Sequence, residues 1–311
     1  RTSPSHGGNT GSNPVRGTKR SPRFGHRVEG FRIGSFGAVT SLDFLELDVF
    51  TTGPFTGNPL AVIAGADGLT VEQMQRIASW TNFSETTFLL KPQSPTADYR
   101  VRIFTPVEEF AFAGHPTLGS AKAWLDLGGV PSDPARIIQE CGVGEVEVRV
   151  SERSLAFATP PLLRSGRLPD QERREILEAF AVEEQMLIDA AFGDNGPGWK
   201  LALLGSVDTL RNLEHPRVPG LKVAFAALTG GDDPAYELRA FTPTFEDPAT
   251  GSANGAMAQW LRSRGDVPER YSVSQGRALG RDGRVEIVDD GDVLWVGGAA
   301  EVRVRGRMVV D

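Results

Sequence analysis

The sequence predicts an α+β fold made of two similar domains related by a pseudo-twofold axis. "RIFTPVEEFAFAGHPTLGSAKAWL", from Arg102, is echoed by "RAFTPTFEDPATGSANGAMAQWL", from Arg239. Each copy opens R-x-F-T-P, reaches a Gly twelve residues after its Arg, and enters a small-residue helix running to Trp-Leu. The 311 residues suit two domains at roughly 150 residues each. Strand and helix patterns are mixed without βαβ alternation, which favours antiparallel sheets.

Taken in order, residues 1–42 are rich in Gly, Ser, Pro and Arg, have no hydrophobic period, and read as a disordered basic extension. They carry no apolar run of the kind a secretory signal needs. Order is expected from residue 43. Leu45, Leu47 and Val49 alternate with Glu46, Asp48 and Phe50 as in a half-buried strand. "TTGPFTGNP" is a turn, and "LAVIAG" a second strand. "TVEQMQRIASWTNF" reads as a helix with Thr70 at its N-cap and Gln73 completing a capping box; Val71, Met74, Ile77 and Ala78 form its apolar face. "TTFLL" and "DYRVRIFTP" are strands, the latter with Tyr99, Val101 and Ile103 in phase. "HPTLGSAKAWLDLG" is a helix with Pro116 in its first turn and Gly128 as its stop. "GEVEVRVSERSLAFATP" reads as a hairpin. A Pro-containing break over 158–170 divides the chain into domains 43–158 and 159–299. In the second half "RREILEAFAV" and "GSANGAMAQWLRSRG" are helices, and "GWKLALLG", "VAFAAL", "AYELRAFTP", "YSVSQG", "RVEIV", "DVLWVGG" and "EVRVRGRMVV" are strands.

Composition narrows the function. Residues 1–42 carry a net +6, so the formal charge of −7 leaves −13 on the remaining 269 residues. An acidic body argues against a nucleic-acid partner, which needs clustered Lys and Arg. No apolar run approaches the ~20 residues of a membrane span. The single cysteine, Cys141, excludes an internal disulfide and a cysteine-rich metal site, and fits a cytoplasmic location.

A strand, a Pro-containing loop and a helix opening on small residues expose backbone N–H groups at a helix N-terminus, which bind anions such as a carboxylate. Two such units facing one another would hold a small acid from both sides, with Gly114, Gly251 and Ser252 leaving room for it. Beside them stand titratable groups that a duplicated scaffold does not require. Glu85, in "NFSETTF" between Phe83 and Phe88, is expected to have a raised pKa suited to acid/base work. His115, at a helix start, is expected to stay neutral under the helix dipole. Asp247 either caps the second helix or joins the chemistry. Metal-ligand spacing, a P-loop, a G-x-S-x-G elbow and a complete G-x-G-x-x-G are all missing, so no metal and no cofactor is expected.

The set "FTGNPLAVI", "NFSETTF", "FAGHPTLGSA", "EDPATGSANGAMAQWL" and "SQGRALGR" resembles the phenazine-biosynthesis isomerase family, PhzF-like proteins, over residues 43–311. The resemblance implies the diaminopimelate epimerase-like fold: two alike α+β domains, each a curved, mostly antiparallel sheet around a central helix. It also implies last strands, near 300–311, that return to the first domain, and a homodimer. It casts Glu85 as the proton-shuttling acid/base, with His115 and Asp247 as its partners. Asn58, Ser84, Gly114, Gly251 and Ser252 would bind substrate. Sister epimerases use one cysteine on each helix start; here those positions are Ala113 or Gly114 and Thr250 or Gly251, which rules out a two-thiol mechanism. Departures fall at Phe110-Ala111, where Leu-Pro is usual, and in the short loop before "EDP".

The expected function is a cofactor-independent isomerase that moves a proton within a small, cyclic, carboxylate-bearing substrate. Two other readings stay open from the residues: a serine-type hydrolase using Ser252, and a non-catalytic protein that binds a small acid.

Overall fold

The computed structural model of the chain describes residues 40–216, 220–231 and 233–310. The basic extension therefore lies outside the described residues except for its last three, which already belong to a strand. The elements run in order β1 (Thr40–Val49), β2 (Asn58–Ala64), α1 (Val71–Thr81), β3 (Thr86–Leu90), β4 (Tyr99–Phe104), β5 (Glu109–Phe110), α2 (Gly114–Asp126), β6 (Arg136–Cys141), β7 (Gly144–Val150) and β8 (Leu155–Ala158). There follow β9 (Arg164–Arg167), α3 (Asp170–Phe180), β10 (Leu187–Asp194), β11 (Trp199–Leu204), α4 (Val207–Arg211), β12 (Val223–Leu228), β13 (Tyr236–Phe241), β14 (Glu246–Asp247), α5 (Gly251–Arg264), β15 (Arg270–Gln275), β16 (Gly283–Asp289), β17 (Leu294–Gly298) and β18 (Ala300–Val310).

The two halves pair their strands alike. In the first lobe β1–β2, β3–β4, β6–β7 and β7–β8 are antiparallel, while β2–β3 and β4–β6 are parallel. In the second lobe β10–β11, β12–β13, β15–β16 and β16–β17 repeat the antiparallel pairs, and β11–β12 and β13–β15 the parallel ones. Each lobe's last strand then crosses over: β9 joins β10, and β18 joins β1 from Thr40↔Val310 to Val49↔Ala300. β8 and β17 pair with each other and seam the lobes together.

A central helix sits inside each sheet. α2 packs on β1, β2, β3, β8 and β18, and α5 on β10, β11, β12, β16 and β17. α2 is buried from Gly114 to Ala121 and α5 over most of its first eight residues, which is why both read as small-residue helices without a polar face. The strands sort their side chains by parity. In β12, Ala224 and Ala226 face the central core, whereas Val223, Phe225 and Ala227 face a second core under α3 and α4 with Ile176 and Phe180. In β2, Val62 faces the central core and Ile63 a third core under α1 with Met74 and Ala78. Each such Val, Ile or Phe contributes about 1.5–3 kcal/mol on burial. No helix among the described residues is long and apolar enough to cross a membrane.

Several expectations need correction. Phe50 does not continue the first strand; it turns at φ 62 and is fully buried. Asp48, in the solvent phase of that strand, is also buried, because its carboxylate accepts from the Gly57 and Thr56 amides and the Thr51 hydroxyl. Val71 is 44% exposed and stands outside the apolar face of α1. The capping box of α1 forms, Thr70 Oγ1 accepting from the Gln73 amide and Gln73 Oε1 from the Thr70 amide. β5, β6, β9, β10, β14 and α4 have no counterpart among the expected elements.

Candidate active site

The duplicated segment builds the centre of the molecule. β4, β5 and α2 in one lobe match β13, β14 and α5 in the other. Their helix starts abut: a Cβ added to Gly251 would stand 3.0 Å from Gly114 Cα, and one added to Gly114 would meet Phe157 Cζ at 2.6 Å. Only residues without a side chain allow this approach. Neither Ala113 nor Thr250, the N-cap residues, caps its helix with a side chain, whereas Thr70 and Ser206 cap α1 and α4. The first-turn amides of both central helices are thus left for a ligand or solvent.

Around this junction the structure gathers the titratable groups anticipated from sequence. Glu85, just before β3, and His115, the second residue of α2, come from the first lobe; Asp247, in β14, comes from the second. His115 Nε2 lies 3.6 Å from Glu85 Oε2, and both atoms are buried without a hydrogen-bond partner among the described residues. Burial is the main force on each group. It pushes Glu85 up to about 8, with the Asp247 charge adding and Lys222 opposing. It pushes His115 down to about 3, against a hydrogen bond with the Pro59 backbone. Burial thus favours the neutral imidazole, and its contact with Glu85 is not an ion pair. Asp247 rises to about 6 from burial, held back by hydrogen bonds from Thr250 and Asn58.

Asn58 links the lobes. From the start of β2 its Nδ2 donates to Asp247 Oδ1 (2.7 Å) and to the Ala249 carbonyl (2.9 Å), and stands 3.4 Å from His115 Nδ1. Asp247 does not cap α5; its second oxygen accepts from the Thr250 hydroxyl at 2.6 Å. Ser252 Oγ accepts from Trp199 Nε1 at 3.0 Å, and the Ser252 carbonyl from Asn195 Nδ2 at 2.9 Å. Ser84 is half-buried beside Glu85, and no side-chain hydrogen bond joins it to the other described residues of the site. His215 is remote from this cluster and packs edge-on against Phe241.

Residues the sequence reading passed over complete the cluster. Gln275 and Asn254 support Thr250. Lys222 holds its ammonium 5.6 Å from the Trp199 ring, with its pKa lowered by burial and supported by Glu108, Asp194 and Glu85. Thr250 had a signal, lying three residues after Asp247. Trp199 and Lys222 had none, because only the fold brings them there. A groove of about 840 Å³ opens elsewhere, lined among others by Ile77, Trp80, Phe83, Met308 and Val309, and includes none of Glu85, His115 and Asp247.

Chemically, this is a buried Asp247 carboxyl and a largely buried Glu85 carboxyl with unequal affinities for a proton, a neutral imidazole, and two uncapped helix starts. Such a set can hold an organic anion and exchange a proton with it.

Comparisons with known proteins agree with one another. The family model described as "Phenazine biosynthesis-like protein", PhzC-PhzF, matches residues 47–310. The chain is 33% identical over 300 residues to "Antisense-enhancing sequence 1" of Schizosaccharomyces pombe, covering 88% of this chain and 100% of that protein. It is 34% identical over 257 residues to "Trans-2,3-dihydro-3-hydroxyanthranilate isomerase" of Pseudomonas aeruginosa, covering 78% of this chain and 88% of the relative. The crystal structure of the Bacillus anthracis phenazine biosynthesis protein, PhzF family, superposes with a TM-score of 0.75 at 24% identity, covering 87% of this chain and 100% of that one.

Proposed function

Because the chain belongs to the phenazine biosynthesis-like family, we propose that it is an isomerase working by metal-free general acid/base catalysis on a small, cyclic carboxylic acid. The observation that carries this reading is the facing pair Glu85 Oε2 and His115 Nε2, each buried without a partner, beside two abutting uncapped helix starts. Unsatisfied buried polar atoms are rare and call for an explanation. A reacting ligand supplies one.

In the proposed reaction the substrate carboxylate lies on the first-turn amides at Gly114 and Gly251. Glu85 begins protonated, its acid form favoured by burial. It delivers its proton to one carbon of a conjugated system, forming a C–H bond, and its carboxylate then removes a proton from another carbon. The double bond moves, the carboxyl is regenerated, and no co-reactant is consumed. Neutral His115, its Nε2 3.6 Å from Glu85 Oε2, flanks the carboxyl without taking its proton, which stays available to the substrate. Asp247 stays anionic and offsets positive charge that develops on the substrate. Positioned proton transfer supplies about 10²–10⁴-fold in rate.

The hydrolase reading fares less well. Ser252 Oγ receives an indole N–H, which does not activate it, and His115 turns toward Glu85 instead. The test is deuterium incorporation at carbon in heavy water, with trans-2,3-dihydro-3-hydroxyanthranilate and other cyclic acids offered as substrates. Incorporation is expected with the wild type and at least about 10²-fold less with Glu85→Gln; equal incorporation in both would remove Glu85 from the reaction.

A further inference from the structure

Thr250 and Gln275 stand behind Asp247 and touch no substrate in the proposed reaction, yet their hydrogen bonds run in one direction only. Gln275 closes β15 and is fully buried. Its Oε1 accepts from the Thr250 amide (3.0 Å) and from Asn254 Nδ2 (2.8 Å). Its Nε2 donates to the Asp247 carbonyl (2.9 Å) and to the Thr250 hydroxyl (3.0 Å). Two pure donors on one end and a carbonyl on the other fix the orientation of this amide. Thr250 Oγ1, already receiving a proton from Gln275, must direct its own proton elsewhere, and Asp247 Oδ2 stands 2.6 Å away. Asp247 Oδ1 faces Asn58 Nδ2, which can only donate. Both Asp247 oxygens are thereby met by donors, while no described residue donates to Glu85, whose Oε2 is buried and whose side chain is 15% exposed. A carboxylate that accepts hydrogen bonds is held as the anion; a buried carboxyl without donors keeps its proton.

We infer that Thr250 and Gln275 are positioning residues that assign the exchangeable proton of the carboxyl pair to Glu85, by turning the Thr250 hydroxyl into an obligatory donor to Asp247. The inference rests on the reading of Glu85 as the proton-exchanging group. Among the titratable and charged groups around the pair, the Asp247 charge favours the acid form of Glu85, whereas Lys222 opposes it and Glu246 pushes Asp247 upward. Burial outweighs Lys222 on Glu85, and the Thr250 and Asn58 hydrogen bonds outweigh Glu246 on Asp247. His115 approaches Glu85 as a neutral ring, Glu246 beside Asp247 is forked to Arg239, and the field of Lys222 falls on Glu85. After burial, the Thr250 hydrogen bond is the strongest influence on Asp247, and it acts downward.

The experiment is a ¹³C NMR titration of side-chain carboxyls in the substrate-free full chain, with Glu85→Gln and Asp247→Asn providing the assignments. In the wild type, Asp247 is expected to titrate at lower pH than Glu85. Thr250→Val is expected to raise the Asp247 midpoint by about one pH unit or more and close the gap between the two groups. Thr250→Ser, which keeps the hydroxyl, is expected to restore the wild-type order, and Gln275→Leu to shift Asp247 in the same direction as Thr250→Val. A wild type in which Glu85 titrates first overturns the inference even if no variant folds, as does a folded Thr250→Val with both midpoints unmoved. Because no substrate is used, the titration order can hold while deuterium exchange fails, which separates this inference from the proposed function.

Discussion

The two copies of the R-x-F-T-P segment build the same device in different surroundings. In each, an Arg forks onto a Glu seven residues later, Nε to Oε1 and Nη2 to Oε2: Arg102 to Glu109 at 2.7 and 2.6 Å, Arg239 to Glu246 at 2.9 and 2.7 Å. In each the guanidinium also lies over the Phe two residues on, at 5.3 and 4.9 Å. The first fork is open to solvent, at 20% and 36% exposure for its two side chains. The second is sealed, at 6% and 2%, and Arg239 Nη1 additionally donates to the Leu210 and Leu213 carbonyls under α4. One residue beyond the Glu the copies part: Phe110 in the first, Asp247 in the second. One residue beyond the helix Gly they part again, into His115 and Ser252. What the copies share is scaffold, and His115 and Asp247 of the candidate site stand where they differ.

The comparison can be broken most forcefully at the forks. Arg239→Ala should destabilise the protein by about 3–5 kcal/mol, because it strands Glu246 as a buried charge. Arg102→Ala should change stability by about 0.2–1 kcal/mol. Urea denaturation of the two variants measures the difference, and similar losses would show that burial does not distinguish them.

A smaller effect sharpens the contrast between Glu85, largely buried without a donor, and Asp247, met by two. A carboxyl held near 8 when folded, against an ordinary 4.5, withdraws stability as pH rises through that window. Glu85→Gln should therefore stabilise the protein by roughly 1 kcal/mol at pH 5 and a few kcal/mol at pH 8. Thermal unfolding at the two pH values checks the sign, and a gain that shrinks toward pH 8 would contradict the raised pKa. His115 acts at the opposite end: with its folded pKa near 3, it withdraws stability as pH falls below about 6.5.

The smallest effect tests the junction itself. Gly114→Ala and Gly251→Ala should each destabilise by about 1–3 kcal/mol through overpacking. The first should be the worse, because its methyl meets Phe157 at 2.6 Å, whereas that of Gly251 finds nothing closer than 3.0 Å. Equal stability of both variants and the wild type, measured calorimetrically, would mean the helix starts do not press together in solution.

Much of this fold was legible because its signals are local. The buried phase of β4 is Tyr99, Val101 and Ile103, as alternation requires, and the capping box of α1 can be read from four letters. The duplication located α2 and α5, and with them Gly114, His115, Gly251 and Ser252. What stayed hidden depends on distant partners. β9 is exposed throughout and joins its sheet through backbone pairing with β10, so no hydrophobic period marks it. Asp48 occupies a solvent phase and is buried because a loop returns to donate to it. Gln275 lies 25 residues from Thr250, and its hold on that residue depends on how β15 meets α5.

The crossing of β9 and β18 has a consequence for how the molecule is made. A chain made as far as β8 still has one edge of β1 unpaired, since β2 covers the other and Thr40 pairs with Val310. That edge waits until β18 has been made. The two duplicated halves are therefore not separable cassettes, and removing Ala300–Val310 would uncover β1 in the other half.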